Sequence, residues 1–178
     1  MSNTINWGKI HGLSNSPETN LTGTAAAPSF VNTKSIELDG VDDFVDCGNP
    51  SNLQITGELS ISAWFKTTYT GGTQVIVGRD AVSGTNKRAY LLYWSSSTNT
   101  IRFNVWKSGN STQLVSSTST VTDGNWHHVL AVNDGSDLKI YIDGALEGTT
   151  IGGGGTIQNG TPDFYIGRRT GHVRSEER

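Results

Sequence analysis

A single cysteine, Cys47, in a chain of 178 residues leaves no partner for an intrachain disulfide and no thiolate set for a zinc or iron–sulfur site. Charge is scarce as well, at 16% of residues against roughly 25% in an average soluble protein. Lys and Arg number 13 and Asp and Glu 16, for a net charge of -3, so the basic excess that draws a protein to nucleic acid is missing. No apolar run approaches the ~18 residues of a membrane span. The opening Met1-Ser2-Asn3-Thr4 has neither a basic stretch nor an apolar one, so the expected setting is cytoplasmic synthesis without a signal peptide or membrane segment. Helical spacing of apolar residues is also absent from every window of ten, which predicts almost no helix.

What is plentiful is glycine, 22 residues, with only 4 prolines, together with five each of Trp, Tyr and Phe. Many turns imply many short elements, and aromatics burying roughly 150 to 250 Å² each can build a thin core. The length fits one sandwich or barrel. Residues 1–33 lack a sustained period and read as an irregular arm or an edge strand, with the domain proper at 34–178. From Ser35 onward, alternation predicts strands at 35–39, 43–47, 59–66, 74–79, 88–94, 100–107, 112–116, 126–133, 137–143 and 163–168. Asp123-Gly124, Asp134-Gly135, Asp143-Gly144 and Asn159-Gly160 supply residues that tolerate positive φ in tight turns, so consecutive strands should pair antiparallel, while Gly152 to Gly155 reads as a loop. Ten such segments make two sheets.

Alternation also sorts faces. Leu59, Ile61, Ala63 and Phe65 oppose Ser60, Ser62, Trp64 and Lys66, and Ile101, Phe103 and Val105 oppose Arg102, Asn104 and Trp106. In 88–94 the split between Tyr90, Leu92, Trp94 and Leu91, Tyr93 leaves the orientation open. The polar set Trp64, Arg102, Asn104 and Trp106 has the materials of a glycan site, in which sugar C–H faces stack on aromatic planes and planar polar groups read hydroxyls. Arg79 and Tyr93 join it if their strands lie in that sheet.

Three stretches in order carry a family resemblance: Ser35-Ile36-Glu37-Leu38-Asp39-Gly40-Val41-Asp42-Asp43-Phe44-Val45, Leu59 to Lys66, and Trp126-His127-His128-Val129 leading to Ile140-Tyr141-Ile142-Asp143-Gly144. They resemble the laminin-G-like branch of the concanavalin A-like lectin and glucanase superfamily over about residues 35 to 167. The resemblance implies an all-β jelly-roll sandwich of two curved antiparallel sheets, and it leaves function open. After Tyr165-Ile166-Gly167 relatives add a closing strand, whereas here the sequence turns polar from Arg168. The expectation is that the arm substitutes for that strand or that an open sheet edge is left for self-association.

Glucanases of the superfamily set paired carboxylates on one strand; the nearest string, Glu37-Leu38-Asp39-Gly40-Val41-Asp42, is broken by Gly40, and no Gly-x-Ser-x-Gly elbow accompanies His127 and His128. No catalysis is expected. Asp39, Asp42 and Asp43, with Asp46 nearby, are the candidate ligands of a structural Ca2+, a reading the resemblance strengthens. The leading functional expectation is a non-catalytic lectin-like module with carbohydrate as partner. The alternative is a structural or adhesion protein, since Ile5-Asn6-Trp7-Gly8-Lys9 resembles the opening of some small virion proteins of tailed phages.

Overall fold

The structure, a computed structural model, describes residues 34–39, 42–81 and 87–168. The expectations for the arm 1–33 and the polar end 169–178 therefore lie outside the described residues. Lys34 to Ile36 belong to a unit that ends at Ile36, and the sandwich unit begins at Glu37. The described residues hold ten strands and two 3-10 turns. The strands are β1 (Val45–Asp46), β2 (Leu59–Phe65), β3 (Gln74–Asp80), β4 (Arg88–Ser95), β5 (Thr100–Lys107), β6 (Ser111–Ser116), β7 (His127–Asn133), β8 (Leu138–Ile142), β9 (Ala145–Thr150) and β10 (Tyr165–Ile166). They form a six-stranded sheet of order β1-β10-β3-β4-β5-β6 and a four-stranded sheet of order β2-β7-β8-β9. Every pairing is antiparallel, as a jelly-roll sandwich requires.

Period-two alternation builds the core from both sheets. Tyr90, Leu92 and Trp94 of β4 and Ile101, Phe103 and Val105 of β5 face Val129 and Ala131 of β7 and Leu138, Ile140 and Ile142 of β8, all buried in one cluster. That resolves the orientation the sequence left open, because inward Tyr90, Leu92 and Trp94 turn Tyr93 outward. Leu59, Ile61 and Phe65 of β2 pack on the cluster as partly buried side chains.

Two strand expectations need correction. Ser35–Asp39 has no regular structure. Ala145–Thr150 is a strand that the sequence reading passed over, since Glu147-Gly148 breaks the alternation. Its start is fixed by a tight turn in which Asp143 and Gly144 take φ of 50° and 85°. Gly148 is required for a different reason: a β-carbon there would run into the carbonyl oxygen of Ser116, where β9 closes against β6 of the other sheet. Thr150 Oγ1 donates to Leu114 O across the same seam at 2.7 Å. Glu147 adds to it, accepting the backbone N–H groups of Thr118 and Ser119 at 3.0 and 2.8 Å.

Candidate functional site

The six residues proposed for ligand binding do not form one surface. Alternation assigns a side chain to a face of its own strand and says nothing of which sheet that strand joins. Trp64 sits on the outer face of the four-stranded sheet, 65% exposed. Arg102, Asn104 and Trp106 lie on β5 of the other sheet. Arg79 points to neither outer face: it is fully buried and bridges loops, with Nη1 donating to Asn159 Oδ1 at 3.0 Å and Nη2 to Asn49 Oδ1 at 2.9 Å and to the Gly160 carbonyl. A guanidinium held by three acceptors at the end of the sandwich is a structural staple. Trp106 shares its strand face with Asn104 but is 3% exposed, with the Arg88 guanidinium 5.2 Å from its ring centroid. It cannot serve as a stacking platform.

What remains together is Tyr93, Arg102 and Asn104. Tyr93 pairs directly with Arg102, and Leu91 beside it pairs with Asn104, so the three side chains crowd one patch of the outer face of the six-stranded sheet. On the far side of β5, Ser116 stands opposite Arg102 and Leu114 opposite Asn104, neighbours that the alternation of 112–116 made readable but that the sequence reading did not assign. Arg102 Nε and Asn104 Oδ1 are shielded from solvent and have no hydrogen-bond partner among the described residues. Leaving each unsatisfied costs roughly 1 to 3 kcal/mol. One is a donor and the other an acceptor, two residues apart on one strand and hence about 7 Å along it.

The outer face of the other sheet has a different character. The Trp64 ring tilts over His128, centroids 5.2 Å apart, and His128 Nε2 is 2.8 Å from Ser62 Oγ. His127, on the opposite face of β7, is clamped between carboxylates: Nδ1 lies 2.8 Å from Asp143 Oδ2 and Nε2 3.0 Å from Asp123 Oδ1. The hydrogen bond with Asp143, then that with Asp123, raises the imidazole pKa against the pull of burial. Asp123 is lowered to about 2, first by the Asn125 backbone N–H and then by the Asn125 and His127 side chains. With both ring nitrogens occupied, His127 holds the chain before β7 to the β8–β9 turn.

Asp39, Asp42 and Asp43 do come together, one carboxylate oxygen from each lying within 4.8 Å of the others. All three are exposed. Asp39 Oδ1 accepts the Asp42 N–H at 3.3 Å and Asp43 Oδ2 the Asp39 N–H at 3.1 Å, the self-bonding of an Asp-rich turn. Three carboxylates fit the chemistry of a hard cation and supply part of the six to eight oxygens calcium takes.

No curated protein matches the sequence. Among solved structures, mouse laminin α1 domains LG4-5 superpose with a TM-score of 0.53 at 15% identity, over 75% of this chain and 33% of that one, so the chain spans a third of that fragment. The CBM40 of the Ruminococcus gnavus IT-sialidase, solved bound to α2,6 sialyllactose, gives 0.55 at 16% identity over 69% of this chain and 72% of that one. The binding domain of Paraclostridial Mosquitocidal Protein 1 gives 0.50 at 12%, covering 68% and 33%. At these identities the likeness is one of fold. The family profile described as the concanavalin A-like lectin/glucanases superfamily, of laminin G type, matches residues 39–176. With its two antiparallel sheets and that match over most of its length, the chain belongs to the concanavalin A-like lectin/glucanases superfamily, in its laminin-G-like branch.

Proposed function

We propose that this chain is a non-catalytic carbohydrate-binding module whose recognition patch is Tyr93, Arg102 and Asn104 on the outer face of the six-stranded sheet. The observation that carries the reading is the register that sets Tyr93 against Arg102 with Asn104 two residues on, an aromatic ring next to a guanidinium and an amide on one sheet face. Sugar hydroxyls donate and accept, so a guanidinium and an amide side by side can read them while a pyranose C–H face lies on the phenol ring. The fold is one that holds sialyllactose in the Ruminococcus module, which makes acidic as well as neutral glycans reasonable probes. The absence of catalysis is supported by His127, whose nitrogens are both engaged by carboxylates, and by the exposed, non-strand setting of Glu37 and Asp39. Calcium is proposed only as a structural clip at Asp39, Asp42 and Asp43.

A glycan array, followed by affinity electrophoresis on the polysaccharides that score, tests the reading. Tyr93→Ala and Asn104→Ala should each lower retention about tenfold with little change in melting temperature, and Trp64→Ala should leave it intact. For neutral glycans retention should change little between low and high salt. Binding that survives both patch substitutions would place recognition elsewhere. The alternative of a structural protein draws on another feature, the edge of β2.

A further inference from the structure

A two-sheet sandwich has four sheet edges, and three of them are dealt with in this chain. β6 and β9 close on each other through Thr150 and Glu147, and β1 is two residues long. β2, at the edge of the four-stranded sheet, is seven residues long and pairs only with β7 among the described residues. Its segment Leu59–Phe65 contains no charge, proline or glycine, the devices that protect natural edges. The inward side chains of β2 are half-buried while most of those of β4, β5, β7 and β8 are buried, so among the described residues nothing covers the core on this flank.

We propose that β2 pairs antiparallel with β2 of a second copy, joining the two four-stranded sheets about a twofold axis normal to the sheet. Such a pairing must keep core-facing residues opposite core-facing residues, which restricts the axis to a residue centre. Centred on Ser62, it sets Leu59 against Phe65 of the partner subunit and Ile61 against Ala63 of the partner subunit on the core side. On the outer side, exposed Trp64 falls opposite Ser60 of the partner subunit, where a small side chain leaves room for the indole. This register alone pairs all seven residues and also brings Glu58 opposite Lys66 of the partner subunit, twice by symmetry. Both residues are exposed, and neither takes part in an ion pair among the described residues. Opposite charges directly across an antiparallel pair stabilise it, and the same charges in a shifted register would not meet.

Sedimentation of the full chain over a range of concentrations should show a reversible dimer. Glu58→Lys should raise its dissociation constant about tenfold by setting Lys against Lys, and adding Lys66→Glu should restore it. In a Cys47→Ser background, Ser62→Cys should give an interchain disulfide on oxidation, because directly paired Cα atoms lie about 4.5 to 5.5 Å apart, inside the range a disulfide spans. Ser60→Cys should not. Circular dichroism of each variant establishes that it retains the β fold. A chain that stays monomeric, a dimer indifferent to the charge reversal and its swap, or crosslinking at 60 in preference to 62 would overturn the proposal.

Discussion

Trp106 and Tyr93 lie on the same outer face yet answer to different forces. Trp106 is covered, so Trp106→Ala should cost about 3 to 5 kcal/mol in chemical denaturation through lost transfer energy and a cavity. Tyr93→Ala, at a partly buried position, should cost roughly 1 kcal/mol or less while lowering glycan retention about tenfold. His127 makes a second, pH-dependent prediction. Its pKa is raised in the folded chain, so its stabilising contribution is complete below the ordinary imidazole value and is lost as pH climbs through the raised one. Asp123 and Asp143 are lowered, so their contributions hold above the ordinary carboxylate range and are lost as pH falls through the lowered values. Melting temperature should therefore peak in mildly acidic solution and decline on both sides. His127→Gln should flatten the alkaline decline; an unchanged slope would assign it to other groups.

β9 shows what a period-two reading can miss. Its Glu147 and Gly148 look like loop residues, and their reasons for being in a strand lie in the other sheet: Thr118 and Ser119 cap the carboxylate, and the Ser116 carbonyl needs the space a β-carbon would take. Gly148→Ala should accordingly cost about 1 to 3 kcal/mol despite the better strand propensity of alanine, measurable by denaturant titration. By contrast β5, β7 and β8 were legible residue by residue, since each alternates strictly and each ends at a turn of Asp, Gly or Asn. The proposed patch was legible in part. Arg102 and Asn104 share a face because the apolar neighbours of each point inward, whereas Tyr93 joins them only through the pairing of β4 with β5, which the alternation of 88–94 leaves open. Trp64 and Arg79 were misplaced because sheet membership and loop contacts are set by residues far away in sequence, as with Asn49 and Asn159 around Arg79.

For the molecule as a unit, calcium provides a thermodynamic check on the acidic turn. A cation bound there only in the folded state must raise the melting temperature with its concentration, by linkage. Millimolar calcium after a chelator wash should raise it by a few degrees, and Asp42→Asn should remove the response; no shift would retire the metal. The topology carries a further, kinetic consequence. β3 to β6 and β7 to β9 are runs of neighbours that can form locally, whereas β2 must wait for β7 and β1 for β10, pairings between Leu59 and Asn133 and between Val45 and Ile166. Loop closure over such spans is slow, so refolding should take milliseconds to seconds, as in other all-β sandwiches. Through that interval the uncharged Leu59–Phe65 strand is open along both edges instead of one, and dilution from denaturant should recover less soluble protein as the final concentration rises.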